Sequence, residues 1–208
     1  MTNAVTPTVD LHNAVVLSGG FPLLSGVDLQ LLPSSLTVIT GANGAGKTSL
    51  LRLLAGLVPL SEGSGTVAGV DLANGDLREL RRRVGWLGHE GSFYDDLTVR
   101  ENLTFAAKAL ERPLIEIERA LQRVGLSNRI DTVTKKLSAG QRRRLGLSWL
   151  LIRRPEIWLL DEPYASLDDE ARTFFDALIA DVLRSGATVV ISAHDKLKAK
   201  RCNHEQLF

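Results

Sequence analysis

Cysteine is almost missing from this chain. Of 208 residues only Cys202 carries a thiol, so no disulfide can form within the chain and a reducing compartment is the natural expectation. An excess of one charge is missing as well. Lys and Arg number 25 against 24 Asp and Glu, a formal net charge of +1, which excludes the broad basic footprint of a bulk nucleic-acid binder. No run of about 18 apolar residues occurs without charge, so no membrane-spanning helix is expected. The first ten residues, Met1 to Asp10, have neither a basic nor an apolar leader region, so no secretory signal is expected either. Internal repeats, low-complexity tracts and flexible linkers are absent. The length suits one substantial α/β core with a smaller appended lobe.

What is present is concentrated in three places. The first is Gly41-Ala42-Asn43-Gly44-Ala45-Gly46-Lys47-Thr48, which follows the apolar run Leu36 to Thr40 and precedes Ser49 to Ala55, a helical apolar pattern. Strand, glycine-rich loop and helix are the context that a phosphate loop requires. The glycines let backbone N–H groups turn inward around an anion, and the next helix adds roughly half a positive charge at its N-terminus. Lys47 is expected to reach the β- and γ-phosphates of a nucleotide, and the Thr48 hydroxyl to ligate the Mg²⁺ that bridges them.

The second place is Ile157-Trp158-Leu159-Leu160-Asp161-Glu162, an apolar run that reads as a buried strand carrying two carboxylates to its C-terminal edge, where open α/β sheets bind ligands. Asp161 is expected to hold the Mg²⁺ shell, and Glu162 to polarise the water that attacks the γ-phosphate. The third is Leu137-Ser138-Ala139-Gly140-Gln141. Ser138 is an N-cap candidate for a helix through Leu145, Leu147, Leu150 and Leu151, and its hydroxyl with the neighbouring N–H groups forms a second anion site.

Taken in order, these segments resemble ABC-transporter ATPases, whose signature segment Leu-Ser-Gly-Gly-Gln closes over the γ-phosphate of ATP held by the opposite subunit. Ala139 replaces the first glycine of that signature. The resemblance implies an α/β fold: a RecA-like phosphate-loop NTPase core of ABC type, an N-terminal antiparallel β-layer and an inserted α-helical subdomain. It implies one nucleotide-binding domain over residues 1–208, with core and β-layer from 1–88 and 155–208 and the helical subdomain from 89–154. ATP and Mg²⁺ are the implied ligands, with loop contacts from residues 41 to 49, ending at Ser49, and signature contacts from Ser138, Gly140 and Gln141. Ser166-Leu167-Asp168 resembles the D-loop of the dimer seam, and His194, after the apolar strand Thr188 to Ser192, takes the place of the γ-phosphate histidine. His89 stands where the family has a glutamine that senses Mg²⁺ and the γ-phosphate. Phe21 is the nearest aromatic to the place where relatives stack adenine. His12 and His204 have no such context and read as ordinary residues.

The nearest resemblance within the family is to the ATP-binding subunits of haem exporters used in cytochrome c maturation. Leu87-Gly88-His89, the arginines after Gln141 and Trp158 to Tyr164 carry it. It implies a homodimer, or a dimer with a related ATPase, formed on ATP binding and driving a separate integral-membrane permease from the inner face of the cell membrane, with no nucleic acid involved. Export of another cargo, a soluble non-transport ABC ATPase and a phosphate-loop kinase are the alternatives. The kinase would need an acceptor site and a lid, and the segment 137–141 argues against it.

Along the chain, Val9 to Leu17 and Val27 to Leu32 read as strands joined by a turn at Ser18 to Pro22, followed by a glycine-rich hairpin from Gly63 to Gly69 and a strand at Val84 to Gly88. Helices are expected between Val99 and Leu151, with a break at Pro113 and a polar interruption at Ser127 to Lys136. A helix is expected from Asp169 to Leu183. The runs Arg81 to Arg83 and Arg142 to Arg144 read as solvated helix faces. Beyond His194 little room is expected for further strands or a regulatory domain.

Overall fold

The computed structural model describes residues 6–88, 93–165 and 167–193, and the backbone of 204–207. Contacts divide the chain into two units, Met1–Trp86 with Pro155–Phe208, and Leu87–Arg154.

The first unit has two sheets. One is antiparallel in the order β2-β1-β4-β5, from β1 (Val9–Ser18), β2 (Phe21–Leu31), β4 (Glu62–Val67) and β5 (Val70–Asp71). The other runs β6-β7-β8-β3-β9, from β3 (Leu36–Thr40), β6 (Val84–Leu87), β7 (Ile157–Asp161), β8 (Thr188–Ala193) and β9 (His204–Leu207). Its pairs β7–β8, β3–β8 and β3–β9 are parallel. Helix α1 (Lys47–Leu54) packs against β7 and β8 and against β1 and β2. Leu50, Leu51, Leu53 and Leu54 are therefore all fully buried, while Arg52 stays exposed. A helix packed against both sheets buries leucines on more than one side, which holds the phosphate loop at its start to a rigid core. Helices α2 (Leu77–Arg83) and α6 (Asp169–Arg184) complete the unit.

Two expectations are corrected here. The second strand begins at Phe21 rather than Val27, because Gly19 and Gly20, with φ of 56° and 82°, turn the chain in two residues and let pairing start at Ser18 with Phe21. Pro22 is tolerated because β2 is an edge strand. Beyond His194 the chain also adds a strand. β9 pairs with β3 from Thr37 to Thr40, where four residues suffice because the parallel partner is already in place.

In the second unit α3 (Val99–Ala109), α4 (Ile115–Arg123) and α5 (Ala139–Arg153) pack on one another. Both α3 and α5 start with capping boxes, Thr98 with Glu101 and Ser138 with Gln141. The polar interruption is built rather than loose. Its two short 3₁₀ turns lead to Thr134, which is fully buried and bonded to the Asn102 amide at 3.0 Å, and Asn102 also pairs with the backbone of Tyr94. The run Arg142 to Arg144 is not simply a solvated face. Arg142 pairs with Asp95 at 2.7 Å, and Arg144 donates to the Val124 carbonyl at 3.2 Å.

Candidate active site

Parallel register decides which residues meet. β8 lies between β7 and β3, pairing Asp161 with Ser192 and Thr40 with Ala193. The phosphate loop leaves β3 at Thr40 and Glu162 leaves β7 after Asp161, so both emerge from the same edge of the sheet.

In the loop, Gly44 and Gly46 have φ of 82° and 96°. A Cβ on Gly46 would stand 2.7 Å from the Leu23 carbonyl oxygen and 2.8 Å from Leu24, so this glycine also lets the loop press against β2. Gly44 has open space around it. Asn43 and Ala42 are exposed, and Gly41, Ala45, Thr48 and Ser49 are partly buried. Lys47 is only 5% exposed, and its ammonium donates to the carbonyls of Gly41 at 2.7 Å and Ala42 at 2.8 Å. Its charge is thereby held at the loop rather than swinging in solvent.

Thr48 Oγ1 donates to Asp161 Oδ2 at 2.9 Å, joining residues 113 apart in sequence. Adjacent oxygens in an octahedral shell of radius about 2.1 Å stand about 3.0 Å apart, so this hydroxyl and carboxylate suit a hard divalent cation. Asp161 is 7% exposed, and its Oδ1 accepts from Ser192 Oγ at 2.5 Å. Glu162 is half-buried and has a left-handed backbone, φ 47°, with its N–H donating to Ser192 Oγ at 2.9 Å. Ser192 was missed in the sequence, where it reads as one more strand residue. The only available signal was a small hydroxyl side chain ending an apolar run.

Ser138, Gly140 and Gln141 lie in the other unit, on the first turn of α5. The Ser138 hydroxyl accepts from the Gln141 N–H at 3.3 Å, and Gln141 Oε1 accepts from the Ser138 N–H at 3.1 Å. Gln141 is therefore engaged in capping. Gly140 is exposed, and a Cβ there would meet nothing within 4 Å. Nothing in its own unit requires glycine. Phe21 is 75% exposed at the β1–β2 turn. His89, Ser166 and His194 lie outside the described residues. Among the described residues no cluster of three or more His, Cys, Asp or Glu could hold a metal by itself, and no helix is long and apolar enough to cross a membrane.

The chain is similar to known proteins in sequence and in fold. The ABC transporter family profile matches residues 24–165. The chain is 41% identical over 187 residues to the cytochrome c biogenesis ATP-binding export protein CcmA 2 of Cupriavidus metallidurans, covering 89% of this chain and 88% of that protein. It is 36% identical over 197 residues to CcmA of Hyphomonas neptunium, covering 94% of both. Among solved structures, an ATP-binding subunit of an ABC transporter is similar with a TM-score of 0.87 at 22% identity, over 97% of this chain and 85% of that one. An ABC-transporter cassette in its ADP conformation is similar with a TM-score of 0.76 at 23% identity, over 90% and 81%.

Proposed function

The chain belongs to the ABC transporter family and is an ATP-binding, ATP-hydrolysing subunit, and from that premise we propose that it powers an exporter serving cytochrome c biogenesis, with haem as cargo. The observation that carries the site is the convergence of Lys47, Thr48, Asp161 and Glu162 on one sheet edge. The cargo reading rests on similarity over most of the chain to proteins named for cytochrome c biogenesis export.

Lys47 and the backbone N–H groups of the loop bind the phosphates. Thr48 and Asp161 would hold Mg²⁺, which would neutralise charge on the phosphates. Glu162 accepts a proton from the attacking water and orients it on the γ-phosphate. Phe21 offers its ring to the adenine. Ser138 and Gly140, on the other unit, complete the nucleotide site of a second copy, so that two ATP molecules sit in a two-fold dimer. The open space at Gly140 supports close approach by a ligand from outside its own unit. The export path belongs to a separate membrane permease, with this chain docked on the inner face of the membrane.

Purifying the chain with its native membrane partner and identifying the bound small molecules tests the cargo. Haem retained in the complex and released on ATP addition is the expected result; a complex that carries a lipid or peptide instead, and no haem, overturns that cargo while leaving the ATPase assignment intact.

A further inference from the structure

Ser192 is fully buried near the end of β8, directly after the apolar Val189, Val190 and Ile191. Burying a hydroxyl is unfavourable unless its hydrogen-bonding groups are satisfied. A serine hydroxyl has one proton to donate and lone pairs to accept with, and both kinds are engaged here. The proton goes to Asp161 Oδ1 at 2.5 Å, and the oxygen accepts the Glu162 N–H at 2.9 Å. On the far side of the same carboxylate, Oδ2 accepts from Thr48. A single side chain thus grips the two adjacent acidic residues, one through its carboxylate and the other through its backbone.

We infer that Ser192 is a positioning residue for the hydrolytic site. Its hydroxyl fixes the Asp161 carboxylate so that Oδ2 faces Thr48 and the cation, and it pins the left-handed backbone from which the Glu162 side chain departs. This inference rests on the roles proposed above for Asp161 and Glu162. Hydrogen bonds to the far oxygen of a metal-binding carboxylate orient the ligand, and their loss weakens metal binding by about 10- to 100-fold.

The test uses the full chain carrying Ser192→Ala, Ser192→Cys or Ser192→Thr. ATP affinity is measured in EDTA, Mn²⁺ affinity of the ATP complex is measured by electron paramagnetic resonance, and kcat and KM by steady-state ATPase. Ser192→Cys replaces the hydroxyl by a somewhat larger, weakly hydrogen-bonding thiol and leaves no void, so it reports even where the alanine harms folding. Expected are an unchanged metal-free ATP affinity in Ser192→Ala and Ser192→Cys, Mn²⁺ affinity weaker by about tenfold or more, and a fall in kcat with little change in KM. Ser192→Thr, which keeps the hydroxyl, is expected to return both toward the parent values. Parent-like Mn²⁺ affinity and kcat in the cysteine variant would overturn the inference. So would a threonine variant as impaired as the cysteine one, or a metal-free ATP affinity that falls by the same factor as the Mn²⁺ affinity. Asp161→Asn is the control: parent-like Mn²⁺ affinity in that variant would overturn the metal-site reading itself, whereas loss there with intact Ser192 variants overturns only the role of Ser192.

Discussion

Glu162 holds a backbone conformation that costs a non-glycine residue about 1–2 kcal/mol. Strain of this kind persists when surrounding bonds over-determine it, and here the bond to Ser192 contributes. If the carboxylate is the general base, Glu162→Gln keeps ATP binding and loses turnover by about 100-fold or more, whereas Lys47→Ala abolishes binding because the loop loses its buried cation. Nucleotide titration beside steady-state ATPase separates the two, and undiminished turnover in Glu162→Gln would remove the base assignment. Gly140 invites a different comparison. Alanine is the better helix former by up to about 1 kcal/mol, so Gly140→Ala should melt no lower than the parent yet hydrolyse ATP more slowly if a ligand approaches there. Phe21 is exposed and supports little of the core, so Phe21→Ala should leave the melting temperature alone and weaken ATP binding about fivefold or more, in line with the loss of one base–aromatic stack. Equal affinities would end that assignment. At this scale the placing of Lys47 and Thr48 at the start of α1 and of Asp161 at the end of β7 was legible, because spacing and flanking elements define it. Ser192 was not, since a lone serine in a strand has no local pattern and acquires its role only from the strand beside it.

At the scale of elements, the helical unit is tied together by exposed charges whose protonation can be followed. The Glu101 carboxyl is held below its ordinary range first by the Thr98 backbone N–H and then by its hydroxyl. Arg100 does the same to Asp131 through a side-chain hydrogen bond, and Lys135 to Asp96. A carboxylate lowered in the folded state stabilises above its unfolded value and stops doing so as pH falls through its folded one. The unit should therefore lose a small part of its stability as pH falls below the ordinary carboxylate range. Thr98→Ala removes the side-chain cap, worth about 1 kcal/mol, and the hydroxyl's smaller share in lowering Glu101, while the backbone N–H keeps the larger share, so its circular-dichroism acid profile should start from lower stability and lose a small part of that limb. Superimposable profiles would rule out the contribution. Elements with a strong period, such as α6, were readable in advance. The β1–β2 turn falls within the expected Ser18 to Pro22, but β2 was started too late because Pro22 suggests a break, while two adjacent glycines at positive φ let pairing resume at Phe21.

For the whole molecule, the central expectation is association. Ser138 and Gly140 stand on a different unit from Lys47, and if they complete the nucleotide site of a second copy, as proposed, ATP is the bridge between the two. Light scattering on Glu162→Gln should show a dimer with ATP and mostly monomer with ADP. A variant that stays monomeric with ATP, in a protein whose parent hydrolyses normally without the permease, would sink the shared-site reading.

The chain's own pattern was enough to place the phosphate loop, the Asp161–Glu162 strand end and the Ser138 cap, because each is a contiguous run in which residue type and neighbouring period carry the chemistry. It also sufficed for an α/β core with an added β-layer and helical insert. Only the tertiary structure decided what those runs meet. The register between β7 and β8 sets Ser192 opposite Asp161, the wedging of α1 between two sheets fixes the loop, and β9 joins β3. Such pairings depend on strands far apart in the chain finding one another, and no local period encodes which serine will stand beside which carboxylate.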